Sequence, residues 1–239
     1  MSDGSKAPMI RASRLCKSYR RGGEVLKVLD ELDLEMEAGR FYALMGPSGS
    51  GKTTLLNLIG GLDAPSAGRI AIEGKDLNAL GAAGRSRMRL AHLGFVFQAY
   101  NLIPVLSAYE NAEFVLLLQG VSKAERHCKV MAMLQAVGLK GMEHRRPQEL
   151  SGGQQQRVAV ARAIAAAPAL VLADEPTANL DSTTGEALLD TMRTLNQERG
   201  VTFVFATHDP KVMQRATRVV RLVDGVIEED TASMHSAAA

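Results

Sequence analysis

The chain has 239 residues, of which 46% are hydrophobic and 23% are charged. This is ordinary globular composition, so it excludes a disordered chain, and the length allows one large domain or two small ones. Lys and Arg (28) barely outnumber Asp and Glu (26), and a net charge of +2 argues against the basic surface that a nucleic-acid partner requires.

The cysteines and the two ends of the chain indicate the cellular compartment. Cys16 and Cys128 have neither metal-ligand spacing nor the pattern of a disulfide framework, which fits a reducing cytosol. Residues 1–15 carry no secretory signal and are expected to be a short loose lead, and residues 231–239 a frayed tail. No stretch reaches 18 uninterrupted apolar residues, so no membrane span is predicted.

The first predicted elements are strands followed by a loop and a helix. Residues 10–19 and 28–37 alternate between apolar and polar side chains, which predicts antiparallel strands, and residues 68–77 add a strand and a turn. Residues 41–46 are a short apolar run that ends in glycine, and residues 52–62 have helical apolar spacing. These two segments predict a strand, a glycine loop and a helix in succession.

Strand signals disappear between about residues 99 and 160. Three successive helices are predicted there, over residues 107–119, 122–138 and 151–167. We interpret this segment as a helical insertion within an α/β core.

The last predicted elements are typical of a parallel sheet. Residues 169–175 and 201–207 are continuous apolar runs of strand length, the pattern of strands buried on both faces. Between them, residues 182–199 predict a helix that is capped by Ser182 and stopped by Gly200.

Residues 46–53 have the spacing G-x-x-x-x-G-K-[ST] between a predicted strand and a predicted helix, the context that a phosphate-binding loop requires. Its glycines let backbone N–H groups surround phosphate oxygens, Lys52 can reach the β and γ phosphates, and the Thr53 hydroxyl can ligate Mg²⁺. The alternative is a plain glycine-rich turn. The predicted nucleotide-binding residues of this segment are Gly46, Pro47, Ser48, Gly49, Ser50, Gly51, Lys52, Thr53 and Thr54.

Two carboxylates end the strand at 169–175, at the edge where parallel-sheet sites open. Asp174 is placed to hold Mg²⁺, and Glu175 to polarise an attacking water. Gln98 and His208 also follow predicted strands, where Gln98 could sense metal or water and His208 could bind the γ phosphate. Alone, the carboxylates could be an acidic turn and His208 a surface loop residue.

A second glycine-containing helix start lies at residues 151–153. Ser151 is a natural N-cap, and Gly152 and Gly153 would let a bulky anion approach the first turn. If residues 46–53 hold the β phosphate, this start has no phosphate of its own, and the simplest interpretation is that it serves the nucleotide of a second copy in a two-fold dimer. The alternative is an ordinary capped helix.

The ordered set of motifs strongly resembles the nucleotide-binding subunit of ABC transporters over roughly residues 9–229. The motifs are GPSGSGKT at 46–53, Gln98, LSGGQ at 150–154, LVLADE at 170–175, NLD at 179–181 and His208. The resemblance implies an α/β fold: a P-loop NTPase core with a mixed sheet, an antiparallel β subdomain and an inserted helical subdomain. It implies a single nucleotide-binding domain over 1–239, with the core and β subdomain at about 9–98 and 166–229 and the helical subdomain at about 99–165.

The resemblance also implies the role of each site residue. Tyr19 would stack on adenine, and the catalytic residues would be Glu175 as base, His208 as switch histidine and Gln98 of the Q-loop. The metal site would be formed by Thr53, Gln98 and Asp174. The signature residues Ser151, Gly152, Gly153 and Gln154 would contact the γ phosphate held by the partner copy, with Asp181 as the D-loop acid.

Residues 60–70, 101–114 and 174–181 are similar to the lipoprotein-release and macrolide-exporter branch (LolD/MacB type), although Ala178 stands where many members have glycine. This implies a cytosolic ATPase, peripheral at the cytoplasmic face of the inner membrane. It would form a head-to-tail homodimer around two ATP with Mg²⁺ and drive integral membrane permease subunits, for lipoprotein release or export.

Two other functions remain open at this point. A regulatory ABC ATPase of an envelope or cell-division complex would transmit motion without moving cargo. An ABC-type protein acting on DNA or the ribosome usually needs a long coiled-coil insertion or two nucleotide domains, and neither is present in this sequence.

Residues 97–111 mix aromatic and aliphatic side chains with few charges, which predicts a docking groove for a short cytoplasmic helix of a membrane subunit. The alternative is that Leu102, Ile103 and Val105 fill the core of the helical subdomain.

Overall fold

The computed structural model describes residues 7–231, which contain two β-sheets and seven α-helices. The first sheet is antiparallel, in the order β2-β1-β4-β5. Its strands are β1 (Ile10–Arg21), β2 (Glu24–Met36), β4 (Ala67–Ile72) and β5 (Lys75–Asp76). The strands predicted near the start of the chain all fall in this sheet. Residues 10–15 therefore belong to β1 and not to a loose lead, whereas residues 1–6 and 232–239 lie outside the described residues.

The second sheet has six strands in the order β10-β9-β3-β8-β7-β6. They are β3 (Phe41–Met45), β6 (Leu93–Val96), β7 (Leu170–Asp174), β8 (Thr202–Ala206), β9 (Arg218–Val223) and β10 (Val226–Asp230). All neighbouring pairs are parallel except β9 and β10, which pair antiparallel. The sheet is thus mixed, as predicted, and the antiparallel partner is a hairpin that the sequence did not indicate.

Both faces of the central strands are buried. Because side chains alternate along a strand, Phe41, Phe203 and Phe205 lie on one face, with ring centroids 4.5 to 5.8 Å apart. Tyr42 and Val204 lie on the other face, in a separate core cluster with the antiparallel sheet. Coverage on both sides explains why these strands are continuous apolar runs in the sequence.

Helices cover the two faces of the six-stranded sheet. They are α1 (Lys52–Ile59), α2 (Ala82–His92), α3 (Ala108–Leu118), α4 (Lys123–Ala136), α5 (Gly152–Ile164), α6 (Ser182–Arg199) and α7 (Pro210–Arg215), with a short 3-10 turn (Pro147–Glu149) before α5. Helices α3, α4 and α5 contact one another and form the core cluster of the phenylalanine face. The three helices predicted between residues 107 and 167 are therefore present and packed as a group.

Side-chain caps define most of the helix starts. Ser107, Ser122 and Ser151 accept the N–H of the third residue of α3, α4 and α5. Helix α6 is capped by Asp181 and not by Ser182: the Asp181 carboxylate accepts the Thr184 N–H at 3.0 Å, and Ser182 is already the first helical residue. Its end at left-handed Gly200 is as predicted.

Helix α2 gave no sequence signal. It carries three arginines and only one buried residue, Met88, so it lacks an apolar stripe. Among residues 7–231, no helix combines the length and the apolar character that crossing a bilayer demands.

Candidate functional site

A cavity of about 860 Å³ opens at the carboxyl edge of β3, β7 and β8. The predicted site residues that line it are Tyr19, Gly46, Pro47, Ser48, Gly49, Gly51, Lys52, Thr53, Thr54, Gln98, Glu175 and His208. Leu26, Val28 and Ala178 line it as well, and the sequence did not assign them to the site. The fold thus brings residues from most of the length of the chain to one cavity.

The loop between β3 and α1 requires glycine at its two ends. A Cβ on Gly46 (φ 147°) would lie 2.0 Å from the carbonyl oxygen of Leu222, and one on Gly51 (φ 101°) would lie 2.8 Å from a methyl carbon of Leu29. Glycine also gives access to these positive φ angles. Gly51 is the N-cap of α1, and no side chain in the described part of the chain caps this helix start.

The loop rests on the hairpin of β9 and β10. The Gly225 N–H, in the turn of that hairpin, donates to the Ser50 carbonyl at 3.2 Å, and the Asp30 N–H donates to the Gly225 carbonyl at 3.1 Å. The Ser50 side chain is buried beneath the loop and does not line the cavity. The loop is therefore held by a backbone hydrogen bond from the β9–β10 turn, and β2 in turn holds that turn in place.

Lys52, at the start of α1, is folded onto the loop. Its Nζ donates to the carbonyl oxygens of Gly46 (2.8 Å) and Pro47 (2.9 Å). The rest of the side chain is buried. The ammonium group is thereby placed inside the curve of the loop, where anionic oxygens would be drawn by both its charge and the helix dipole.

Thr53 lines the cavity and pairs with Asp174, which is not among the residues that line it. The Thr53 hydroxyl donates to the Asp174 carboxylate at 3.2 Å. Burial raises the pKa of Asp174, and the nearby charge of Glu175 raises it further, whereas Thr53 and Lys52 act to lower it. Hydroxyl and carboxylate oxygens are the ligands that Mg²⁺ accepts, so these two side chains fit such an ion.

Glu175 is held in an unusual backbone conformation beside the cavity. Its φ is 45°, and its N–H donates to the Ala206 carbonyl of the neighbouring strand at 2.9 Å. One carboxylate oxygen accepts the Thr207 hydroxyl (2.9 Å), and the other lies 2.7 Å from Nδ1 of His208. The carboxylate is therefore fixed in direction by two side chains. A non-glycine residue keeps a positive φ only where the surrounding contacts enforce it, as these hydrogen bonds do here.

Thr207 was missed in the sequence. It is fully buried at the end of β8, and its hydroxyl also accepts the Asp209 N–H at 3.0 Å. A threonine at the end of an apolar strand gives no motif signal, because only the fold places it next to Glu175.

Gln98 lies on a loop that α5 holds in place. The Gln98 side chain is exposed at the cavity, and its carbonyl accepts the Asn179 side-chain amide at 2.9 Å. From α5, buried Gln156 donates to the Pro176 carbonyl (2.8 Å) and the Phe97 carbonyl (3.4 Å), and Arg162 donates to the carbonyl of Tyr100 (2.9 Å). Movement of α5 would therefore carry this loop with it.

The signature residues at 151–154 do not line this cavity in the part of the chain that the structure describes. Ser151 and Gln154 form a capping box, in which the Ser151 hydroxyl accepts the Gln154 N–H (3.3 Å) and the Gln154 side chain accepts the Ser151 N–H (3.0 Å).

The two glycines of this helix start have neighbours within the same chain. A Cβ on Gly152 would lie 2.8 Å from the Tyr100 hydroxyl, and one on Gly153 would lie 2.4 Å from a methyl carbon of Thr184. Close packing against these residues is therefore one reason for glycine at both positions. Asp181, the N-cap of α6, belongs to this region and not to the cavity.

A family model described as "ABC transporter" matches residues 29–178. The lipoprotein-releasing system ATP-binding protein LolD of Anaeromyxobacter dehalogenans is 46% identical over 235 residues, covering 96% of this chain and 97% of that protein. The macrolide export ATP-binding/permease protein MacB of Brucella melitensis is 43% identical over 225 residues, covering 94% of this chain. The chain spans only 35% of the length of that MacB protein.

Solved structures of similar chains are also known. The dimeric structure of MJ0796, a bacterial ABC transporter cassette, matches with a TM-score of 0.87 at 41% identity, covering 93% of this chain and 97% of that chain. A dimeric post-hydrolysis state of the same cassette, bound to ADP and Pi, matches with the same TM-score of 0.87.

Proposed function

The chain belongs to the ABC transporter family, as an ATP-binding cassette of that family of ATPases, and from this premise we propose that it hydrolyses ATP to drive a membrane partner. The observation that carries the proposal is the fixed Glu175 carboxylate at the cavity that also contains Lys52 and Thr53. These are the parts that phosphoryl transfer to water requires.

Some of these residues bind the phosphates of ATP, and others activate the attacking water. The N–H groups of the loop and of the first turn of α1 bind phosphate oxygens, and the Lys52 ammonium turns from the loop carbonyls to the β and γ phosphates. Glu175 accepts a hydrogen bond from the attacking water and polarises it, while Thr207 and His208 keep the carboxylate oriented.

Thr53 and Asp174 would hold Mg²⁺, with Gln98 as a further oxygen donor at the cavity. The ion, when bound, would neutralise the charge that develops on the phosphate oxygens.

A second copy of the chain completes the site in this proposal. Ser151 and the N–H groups of Gly152 and Gly153 are exposed or half-buried at a helix start, yet they lie outside the cavity of their own chain. The MJ0796 cassettes are dimeric, which supports a head-to-tail arrangement in which each copy presents this start to the γ phosphate of the other. Loss of the shared phosphate on hydrolysis would then open the dimer.

We further propose a division into a catalytic core with β subdomain (about 9–98 and 166–229) and a helical subdomain (about 99–165) that docks on a membrane permease. A groove of about 390 Å³ lies between strand β6 and helices α3 and α5. Its apolar lining consists of Leu93, Phe95, Phe97, Ile103, Phe114, Val115, Leu118 and Ala163. A short apolar helix of the permease fits this lining, and the chain would sit at the cytoplasmic face of the inner membrane.

Lipoprotein release or export across the envelope is the proposed process. This chain aligns with nearly the whole length of the LolD relative, and the name of that relative assigns it to a lipoprotein-releasing system. The MacB relative, whose name includes a permease, supports a membrane partner for this type of cassette.

The decisive experiment uses purified wild-type protein and Glu175→Gln with ATP and Mg²⁺, alone and with candidate permeases in vesicles. We expect turnover by the wild type, and we expect Glu175→Gln to lose it by about 10² to 10⁴-fold while still binding ATP and sedimenting as a dimer. Glu229→Gln, an exposed glutamate of β10, is the charge-matched control. A wild type without turnover in every setting would exclude the proposal.

Docking is tested on α3. Leu118 lines the groove and is 57% exposed, whereas Leu117 is 50% exposed and does not line it. We expect Leu118→Asp to prevent co-purification with the permease and Leu117→Asp to leave it intact. Co-purification of a cell-wall hydrolase activator in place of a permease would favour the regulatory alternative.

A further inference from the structure

Three side chains form a compact cluster at one end of the cavity, which we call the Tyr19 cluster: Lys17, Tyr19 and Asp63. Lys17 and Tyr19 are two residues apart on β1 and therefore lie on the same face of the strand. Asp63 comes from the turn that follows α1, so the cluster joins the antiparallel sheet to the helix of the phosphate loop.

The Asp63 carboxylate binds both of its neighbours. Lys17 Nζ donates to Oδ1 of Asp63 at 2.7 Å and to the Ala64 carbonyl at 2.8 Å, and the Tyr19 hydroxyl donates to Oδ2 of Asp63 at 2.8 Å. The lysine side chain is only 10% exposed and that of Asp63 31%. Each carboxylate oxygen thus fixes one of the two side chains.

The charge state of the cluster is consistent with this geometry. Burial alone would raise the pKa of Asp63, but the hydrogen bonds from Lys17, Tyr19 and the Ala64 N–H outweigh it and lower the pKa. Asp63 is therefore ionised at neutral pH and accepts both bonds.

The cluster leaves one face of the Tyr19 ring available. The Lys17 ammonium lies 4.7 Å from the ring centroid, in cation–π contact with one face. Tyr19 is 39% exposed and lines the cavity together with Leu26 and Val28, whereas Lys17 and Asp63 do not line it. The ring is thus held from behind and presented to the cavity.

We propose that Lys17 and Asp63 are positioning residues for nucleotide binding, which hold the Tyr19 ring so that its free face stacks on the base. The inference rests on the proposed function, since it takes ATP as the ligand of the cavity. A ring that is already fixed loses less freedom when the base binds, so the stacking contributes more to affinity.

The experiment separates the base from the phosphates. Dissociation constants for ATP and for inorganic tripolyphosphate, which has no base, are measured by calorimetry for the wild type, Lys17→Met and Tyr19→Phe. Lys27→Met is the matched control, because Lys27 also pairs with an aspartate in this sheet but is exposed and touches Asp30, not Tyr19.

We expect Lys17→Met to weaken ATP binding by about three- to tenfold, and Tyr19→Phe by about two- to threefold, with tripolyphosphate binding unchanged. Lys17→Arg should restore most of the ATP affinity. Tyr19→Phe, which removes one exposed hydroxyl, keeps the test valid if Lys17→Met does not fold.

Two results would overturn the inference: ATP affinities of Lys17→Met and Tyr19→Phe equal to that of Lys27→Met, or equal losses for ATP and tripolyphosphate, which would mean a general structural defect. Failure of the wild type to bind ATP at all would instead overturn the proposed function.

Discussion

The starts of α1 and α5 are both glycine-containing helix N-termini, but the structure makes them opposites. Helix α1 begins at Gly51 with no side-chain cap among the described residues, lines a cavity and carries a lysine folded into its loop. Helix α5 begins at Ser151 with a complete capping box and lies outside that cavity. The N–H groups at the start of α1 have no side-chain cap among the described residues, whereas the Ser151 hydroxyl accepts one N–H at the start of α5.

This difference bears on how two copies would share a nucleotide. A self-capped start is stable before any ligand arrives, and its serine remains at the surface. The uncapped start depends on contacts from elsewhere, namely Gly225 and Leu222 beneath the loop. The four predictions below test the contrast, from the largest expected effect to the smallest.

Lys52→Met should abolish the function of the first start. Two charge-assisted contacts to phosphate would be lost, each contributing about 1.5 to 3 kcal/mol, so ATP affinity should fall by about 10² to 10⁴-fold. Calorimetric titration measures the change. Lys140→Met, at an exposed lysine, is the control and should bind ATP as the wild type does. Wild-type affinity in Lys52→Met would mean that α1 does not receive the phosphates.

Ser151→Ala tests the second start. Loss of the cap should cost about 1 kcal/mol of unfolding free energy, and loss of the contact to the partner's nucleotide should slow hydrolysis about tenfold or more. Urea unfolding and steady-state ATPase rates measure the two effects.

Ser107→Ala is the matched control for Ser151, because Ser107 forms the capping box of α3. It should lose similar stability with unchanged ATP hydrolysis per folded molecule. Equal ATPase rates for the two variants would contradict a role for Ser151 beyond capping.

Gly153→Ala should destabilise the protein although alanine favours helices. The added Cβ would meet the Thr184 methyl group at 2.4 Å, and such overpacking costs about 1 to 3 kcal/mol. The double variant with Thr184→Ala should recover stability, as measured by the Tm. Gly185→Ala, where the nearest atom would be 3.5 Å away, should not destabilise the protein. If Gly153→Ala lost activity but not stability, the added methyl group would clash with the second copy of the chain and not with Thr184, which would contradict this prediction.

Asp174 and Asp181, one beside each start, should respond oppositely to pH. Burial raises the pKa of Asp174, so the folded carboxyl holds its proton more tightly than the unfolded one. Its contribution to stability therefore falls as the pH rises from the ordinary carboxyl value through the raised pKa. Asp174→Asn should raise the Tm at pH 7, by about 2 to 4 °C per kcal/mol of relieved charge penalty, while it removes hydrolysis.

The contribution of Asp181 to stability changes with pH in the opposite direction. Hydrogen bonds from the Thr184 hydroxyl and N–H lower the pKa of Asp181, so its contribution is present above the ordinary carboxyl value and disappears as the pH falls through the lowered pKa. Asp181→Asn should slightly lower the Tm at pH 7 and have no effect in strong acid. Circular dichroism measures the Tm of both variants as a function of pH. If the change in Tm had the same pH dependence in both variants, the opposite pKa shifts would be contradicted.

Much of the fold could be predicted because its signals are local. Apolar runs identified β3, β7 and β8, helical apolar spacing identified α3 to α5, and the spacing of residues 46–53 identified the phosphate loop. Helix α2 was missed because it has no apolar stripe, and the β9–β10 hairpin because arginines interrupt β9 and acidic residues end β10.

Parts of the site could not be predicted because they depend on distant contacts. Thr207 becomes important only because Glu175 follows the neighbouring strand, and Lys17 only because the turn after α1 brings Asp63 to β1. The direction of the Ser50 side chain, away from the cavity, is likewise set by the packing beneath the loop. Motif spacing identifies residue types but not the tertiary neighbours that orient them.

The hydrogen bond from Gly225 to Ser50 ties the phosphate loop to a hairpin near the other end of the described chain. Truncation to the segment matched by the family model, residues 29–178, would delete Tyr19, Thr207, His208 and the hairpin beneath the loop. Such a fragment would retain the glycine-rich sequence without the backbone donor that shapes it. Excision, fusion or circular permutation of this cassette should therefore keep β1 and the hairpin through Asp230 on the same chain as the loop.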